Sequence, residues 1–225
     1  MFRKVELMIF LLIAVGFIVL NKKLGEIVSS DNVKSAENSI VLDAGHGGAD
    51  PGKVGINGVY EKDINLQVAK KVKELLEQQG INVIMTREMD EMLGGQMENT
   101  KSEDMKERVR IINEAKPELA VSIHQNSYSD TSVRGAQTFY YSQSEEGRDY
   151  AGIIQNALLD VDPDNHRQAK ANDNYYLLTR TQVPTVIVEC GFLSNYDEAE
   201  KLADDKYQEE ISKAIVHGIE SCFGN

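Results

Sequence analysis

Short apolar runs alternate along this chain with longer stretches whose apolar residues recur at helical spacing. Residues 40–42 are Ile-Val-Leu, closed by Asp43-Ala44-Gly45, the pattern of a short buried strand. Residues 47–60 hold five glycines and a proline and predict a loop. Over 61–79, Ile64, Val68, Val72, Leu75 and Leu76 follow a helical period, and Gly80 supplies the stop. Further strands are predicted at 81–86, 119–124 and 185–190, with an edge strand at 135–141 and a short one at 175–178. Helices are predicted at 105–115, 145–159 and 207–223. Residues 88–104 and 160–174 are polar and predict loops. This alternation implies one α/β domain, its largely parallel or mixed sheet covered by helices on both faces.

The N-terminus follows a different pattern. Residues 7–20 are fourteen uncharged, mostly apolar residues, with Arg3 and Lys4 before them and Lys22 and Lys23 after. The run is apolar all round, which excludes an amphipathic core helix. Its length suits a signal-peptide core and is short for a full span. No small-x-small cleavage site follows closely, so an uncleaved signal anchor is the favoured reading, with a cleaved signal peptide as the alternative. The expected organisation is an apolar anchor helix over 1–24, a polar tether over 25–38 and a catalytic domain over 39–225. That places the domain outside the cytoplasm, membrane-anchored or secreted.

Charge narrows the partners. The net charge is −12, and residues 1–30 carry +2, leaving −14 on the remainder. Nucleic acid, which needs a basic face, is excluded as a partner. Cys190 and Cys222 are too few for a disulfide framework and are expected to be buried free thiols, with a single disulfide as the alternative. Cys190 should face the side of the sheet opposite Glu189.

Three predicted strands end in polar groups: Asp43-Ala44-Gly45-His46, Ser122-Ile123-His124 and Val188-Glu189. Open α/β sheets build their sites at such carboxyl ends. His46 and His124 are candidate zinc ligands, and Glu61, at the start of a helix returning after the glycine loop, is a candidate third. Two histidines and a glutamate form a catalytic zinc set that leaves one position open. Glu189 is then free to serve as general base. Asp43 is a turn residue or a partner that orients an imidazole. His166 is expected to be solvated and His217 structural. Gly47 to Lys53 matches the spacing of a phosphate-binding loop, but Val54 replaces the metal-binding hydroxyl and Gly55 and Gly58 prevent the required helix.

The motifs Asp43-Ala44-Gly45-His46-Gly47-Gly48, Glu61, Thr86-Arg87-x-x-Asp90, Arg108, Ser122-Ile123-His124-Gln125-Asn126 and Val188-Glu189-Cys190-Gly191-Phe192-Leu193-Ser194-Asn195 resemble the zinc-dependent N-acetylmuramoyl-L-alanine amidases. The resemblance runs from about residue 40 to the C-terminus. It implies one zinc on His46, Glu61 and His124, a catalytic Glu189, and hydrolysis of the amide between N-acetylmuramic acid and L-alanine in peptidoglycan. Asp43, Arg87, Gln125 and Asn126 are expected near the ligands or on the substrate rim. Gln125 stands where the family has a small residue. A lone catalytic domain behind an anchor is most similar to the germination-specific, spore-cortex type. The methionine-bearing 88–104 segment is a candidate contact for an accessory envelope protein. Two alternatives compete: a zinc carboxypeptidase, for which Arg180 is the nearest carboxylate-binding candidate, and a catalytically silent wall-binding protein.

Overall fold

The structure is a computed structural model that describes residues 39–94 and 101–224. The expected anchor and tether, and residues 95–100 of the 88–104 segment, lie outside the described residues. No helix among the described residues is long and apolar enough to cross a membrane.

Six strands form one mixed sheet: β1 (Ser39–Ala44), β2 (Asn82–Met85), β3 (Leu119–Asn126), β4 (Gln137–Tyr140), β5 (Lys170–Ala171) and β6 (Thr185–Phe192). Their spatial order is β2-β1-β3-β6-β4-β5. The first four in that order are parallel, β4 runs antiparallel to β6, and β5 is parallel to β4. The described helices are α1 (Glu61–Gln78), α2 (Lys101–Ala115), α3 (Glu145–Leu159), α4 (Tyr176–Arg180), α5 (Tyr196–Ala203) and α6 (Asp205–Phe223).

Side chains alternate across a strand, so each central strand feeds two cores. Ile40, Leu42, Val121, Ile123, Val186, Val188 and Cys190 face the larger one, where Val68 and Val72 of α1, Ile154 of α3 and Ile215 of α6 cover the sheet. Val41 and Ala120 face a smaller one, covered by Ile112 of α2 and Leu177 of α4. Asp43, Ser122, His124 and Glu189 share the parity of this second face. The sheet thus has a thick side that supplies stability and a thin side that carries polar groups. Cys190 is buried on the thick side and Cys222 is half-buried; both are free.

β4, expected as an exposed or edge strand, pairs with β6 and β5, and β5 falls within the stretch 160–174 expected as loop; four further local expectations change. Residues 175–178 do not form a strand. Leu177 and Leu178 are buried in the turn of α4, and Thr181 Oγ1 closes it by donating to the Leu177 carbonyl at 2.9 Å. A four-residue apolar run fits either state until packing decides. The second change is α5, a helix where none is predicted: Asn195 caps it by accepting from the Glu198 N–H, and eight residues give little period to read. Third, α2 begins four residues early, because Asp104 is drawn inside by Arg108 and by the Leu93 N–H. Fourth, His217 is exposed on α6 rather than structural.

Gly218 marks the closest helix approach. A Cβ there would lie 2.8 Å from the Ile154 Cα. Gly218→Val should therefore force α3 and α6 apart. Overpacking costs roughly 1–3 kcal/mol and a branched side chain recovers little helix propensity, so we expect a loss of about 2 kcal/mol. Urea unfolding should show a lowered midpoint; an unchanged midpoint contradicts the close approach.

Candidate metal centre

The site begins where β1 ends. His46 has φ 62°, in the left-handed region that non-glycine residues seldom occupy. Two buried guanidinium groups hold this turn. Arg108 donates to the carbonyls of Ala44 and His46, both at 2.7 Å. Arg87 donates to the carbonyls of Ala44 at 2.8 Å and Gly45 at 3.0 Å. Asp43 balances Arg108 at 2.6 Å and also accepts from the hydroxyls of Thr86 and Ser122. Burial raises the Asp43 pKa, but Arg108 and the two hydroxyls outweigh it and hold the carboxyl at about 2. Asp90 secures the far side of the turn, accepting from the Gly48 N–H at 2.7 Å and pairing with Lys62. Gly45 leaves room for a ring: a Cβ there would lie 2.2 Å from His124 Cε1.

The β3–β6 register sets His124 beside Glu189, and Glu61 opens α1 beneath them. His46 Nε2 lies 3.2 Å and His124 Nδ1 3.0 Å from Glu61 Oε1. One ligand atom from each of the three residues lies within 4.8 Å of the others. The second Glu61 oxygen accepts from the Lys53 N–H at 2.7 Å, and the first also accepts from the Gln125 N–H at 3.1 Å. Burial raises the Glu61 pKa, but the two imidazoles outweigh it and leave it well below the usual carboxylate range. Two imidazole nitrogens and one fixed carboxylate oxygen are the donor types that a catalytic zinc site takes, so these residues fit the metal that the sequence implies.

Glu189 stands apart from that trio. It is 6% exposed. Its Oε1 lies 3.4 Å from the Tyr175 hydroxyl, and its Oε2 is buried with no hydrogen-bond partner. Burial pushes its carboxyl up to about 7. Glu189, Tyr175, Asn126 and the trio line one cleft of about 420 Å³.

The other predicted site residues are distributed unevenly. Asn126 lines the cleft. Gln125 is buried behind it and donates to Asn65 Oδ1 at 3.1 Å, and Asn65 in turn donates to the Gly45 carbonyl. Arg87 is 2% exposed and spends its N–H groups on carbonyls, so it contributes no rim surface. Asp43 meets no imidazole; the carboxylate on His46 is Asp50, 2.8 Å from Nδ1. Asp50 and Tyr175 are the residues that sequence reasoning missed. An acid among glycines reads as a turn former, and a tyrosine in an apolar run reads as core. Arg180 is exposed at the end of α4, outside the cleft lining, and His166 is exposed.

The Asp43–Arg108 pair makes an acid-stability prediction. The folded pKa lies below the unfolded value of about 3.9, so the stabilisation is complete above that value and is lost as pH falls towards 2. Asp43→Asn removes one of the two carboxylates that pair with buried Arg108, leaving Asp104, and should cost about 1–3 kcal/mol near neutral pH. Because the wild type protonates in acid, the gap between the two should narrow by roughly 1 kcal/mol by about pH 3. Urea unfolding at both pH values measures it; a constant gap contradicts the assignment.

Known proteins resemble this chain in sequence and in fold. The family model for N-acetylmuramoyl-L-alanine amidase matches residues 40–221. A germination-specific N-acetylmuramoyl-L-alanine amidase of Bacillus subtilis is 40% identical over 184 residues, 80% of this chain and 77% of that protein. The structure of the CwlD amidase of Clostridioides difficile, in complex with the GerS lipoprotein, has a TM-score of 0.80 and 40% identity, covering 83% of this chain and 98% of that one. The catalytic domain of CwlV, an N-acetylmuramoyl-L-alanine amidase of Bacillus (Paenibacillus) polymyxa, has a TM-score of 0.73 and 31% identity, covering 82% and 97%. The family match spans the whole sheet and both histidine-bearing strand ends, and on that ground this chain belongs to the N-acetylmuramoyl-L-alanine amidase family.

Proposed function

We propose that this chain hydrolyses peptidoglycan at the amide joining the lactyl group of N-acetylmuramic acid to the L-alanine of the stem peptide. His46, Glu61 and His124 would hold one zinc ion. Glu189 moves the protons. The observation that carries the reading is the buried, unpartnered Glu189 Oε2 in the same cleft as the trio. A zinc ion on the trio supplies Lewis acidity toward the scissile carbonyl and acidifies water. Glu189 takes the proton from the attacking water and returns it to the leaving nitrogen. The C–N bond breaks, giving a lactyl carboxylate on the sugar and a free L-alanine amine on the peptide. Tyr175 holds the other Glu189 oxygen, which leaves Oε2 as the oxygen free to carry the proton.

The germination-specific relative supports a role in spore-cortex peptidoglycan. The domain boundaries follow the same reading, with 1–24 as signal anchor or signal peptide, 25–38 as tether and 39–225 as the catalytic domain outside the cytoplasm. The lipoprotein bound to the CwlD relative supports an accessory envelope partner here. A carboxypeptidase reading loses its carboxylate-binding arginine, since Arg180 lies outside the cleft. A silent wall-binding protein has no use for a trio and a free carboxylate in one cleft.

Mass spectrometry of digested peptidoglycan tests the reaction: stem peptides should appear with a free L-alanine N-terminus. Glu189→Gln should keep the fold and the metal while losing roughly 10²–10⁴-fold in rate, the span of general acid–base catalysis. Wild-type turnover by the variant contradicts the role of Glu189. Cleavage at another bond contradicts the substrate.

A further inference from the structure

The Asp50 carboxylate has three partners, His46, Lys101 and the Gly52 N–H at 3.3 Å, and a rigid seat. Its backbone exchanges hydrogen bonds with Gly47, both at 3.0 Å, inside the glycine loop. Its Oδ2 lies 2.8 Å from His46 Nδ1, and its Oδ1 lies 2.7 Å from Lys101 Nζ. The carboxylate side chain is only 12% exposed, whereas that of Lys101 is 75% exposed. On the other side of the same imidazole, Nε2 faces Glu61.

A metal ion on the trio would select one tautomer. Both imidazole nitrogens face carboxylates, Nδ1 toward Asp50 and Nε2 toward Glu61. Ligation through Nε2 uses its lone pair, which leaves the single N–H of a neutral ring on Nδ1, where the Asp50 carboxylate can accept it. A carboxylate behind a ligating histidine orients the ring and raises the basicity of the ligating nitrogen.

We propose that Asp50 is the positioning carboxylate of the metal centre: it holds His46 in the Nδ1–H form and aims Nε2 at the trio. The inference rests on the zinc reading above. The competing role for Asp50 is to dock the start of α2 through Lys101. That role predicts that removing Lys101 is as damaging as removing Asp50. The two are separable because the lysine is exposed and the carboxylate is not.

Zinc affinity of the full chain, measured by competition with a chromophoric chelator, decides between them. Asp50→Ala should weaken zinc by roughly 10–100-fold, the usual effect of losing such a partner. Asp50→Asn, nearly isosteric and still an acceptor, should fold and lose less. Lys101→Ala should stay within about fivefold, as suits an exposed ion pair. In the zinc-loaded protein, ¹⁵N NMR should show His46 protonated at Nδ1 and ligated through Nε2. Wild-type affinity in both Asp50 variants overturns the proposal, as does a Lys101→Ala loss equal to that of Asp50→Ala, or ligation through Nδ1. Wild-type affinity in His46→Ala overturns the zinc reading as well; zinc lost by His46→Ala but kept by both Asp50 variants overturns this inference alone.

Discussion

Two buried guanidinium groups at the end of β1 are the constraint on which the site depends. A strand that stops inside a protein leaves carbonyls without ladder partners, and buried carbonyls must be satisfied. Arg87 and Arg108 satisfy those of Ala44, Gly45 and His46. This lets the chain turn sharply and keeps His46 in a left-handed backbone conformation that most sequences avoid. Burying two cations is costly unless they are paired. Asp43 and Asp104 pair Arg108, and the aligned carbonyls engage Arg87. The geometry of one imidazole is therefore held by a polar network that reaches α2, the end of β2 and β3.

The sheet divides its labour by parity. On the thick face, α1, α3, α5 and α6 bury an apolar core, and a substitution there acts on stability. On the thin face, β1, β3 and β6 present Asp43, His124 and Glu189, and α1 contributes Glu61 from the carboxyl-end rim. The β3–β6 pairing sets His124 beside Glu189 without either side chain having to reach. The trio gathers its donor atoms around Glu61 Oε1, whereas Glu189 Oε2 remains unpartnered. Position alone thus separates the His46–Glu61–His124 trio from the unpartnered Glu189 carboxylate.

Much of this was legible in the sequence, for identifiable reasons. Strand ends carrying His46, His124 and Glu189 were readable because short apolar runs stop abruptly at polar residues. Glu61 was readable because a helix that starts after a glycine loop must return to the same rim. The neighbours were harder. Asp50 lies among glycines and a proline, where an acid signals a turn, and only the folded loop reveals that it faces His46. Asp43, three residues before the motif histidine, instead serves Arg108. Arg87 reads as a rim residue because arginines usually are, yet it is almost wholly buried. Tyr175 and α4 were misread because four apolar residues carry no period. Long-range pairing of polar side chains leaves no local signature, whereas hydrophobic spacing does.

The central claim is the division between His46, Glu61 and His124 as ligands and Glu189 as the free carboxylate. X-ray diffraction from crystals of the zinc-loaded protein, with anomalous data at the zinc edge, tests it directly. The account predicts one anomalous peak about 2 Å from His46 Nε2, His124 Nδ1 and a Glu61 oxygen, with Glu189 outside the coordination sphere. A peak bound by Glu189, or one away from the trio, would contradict it.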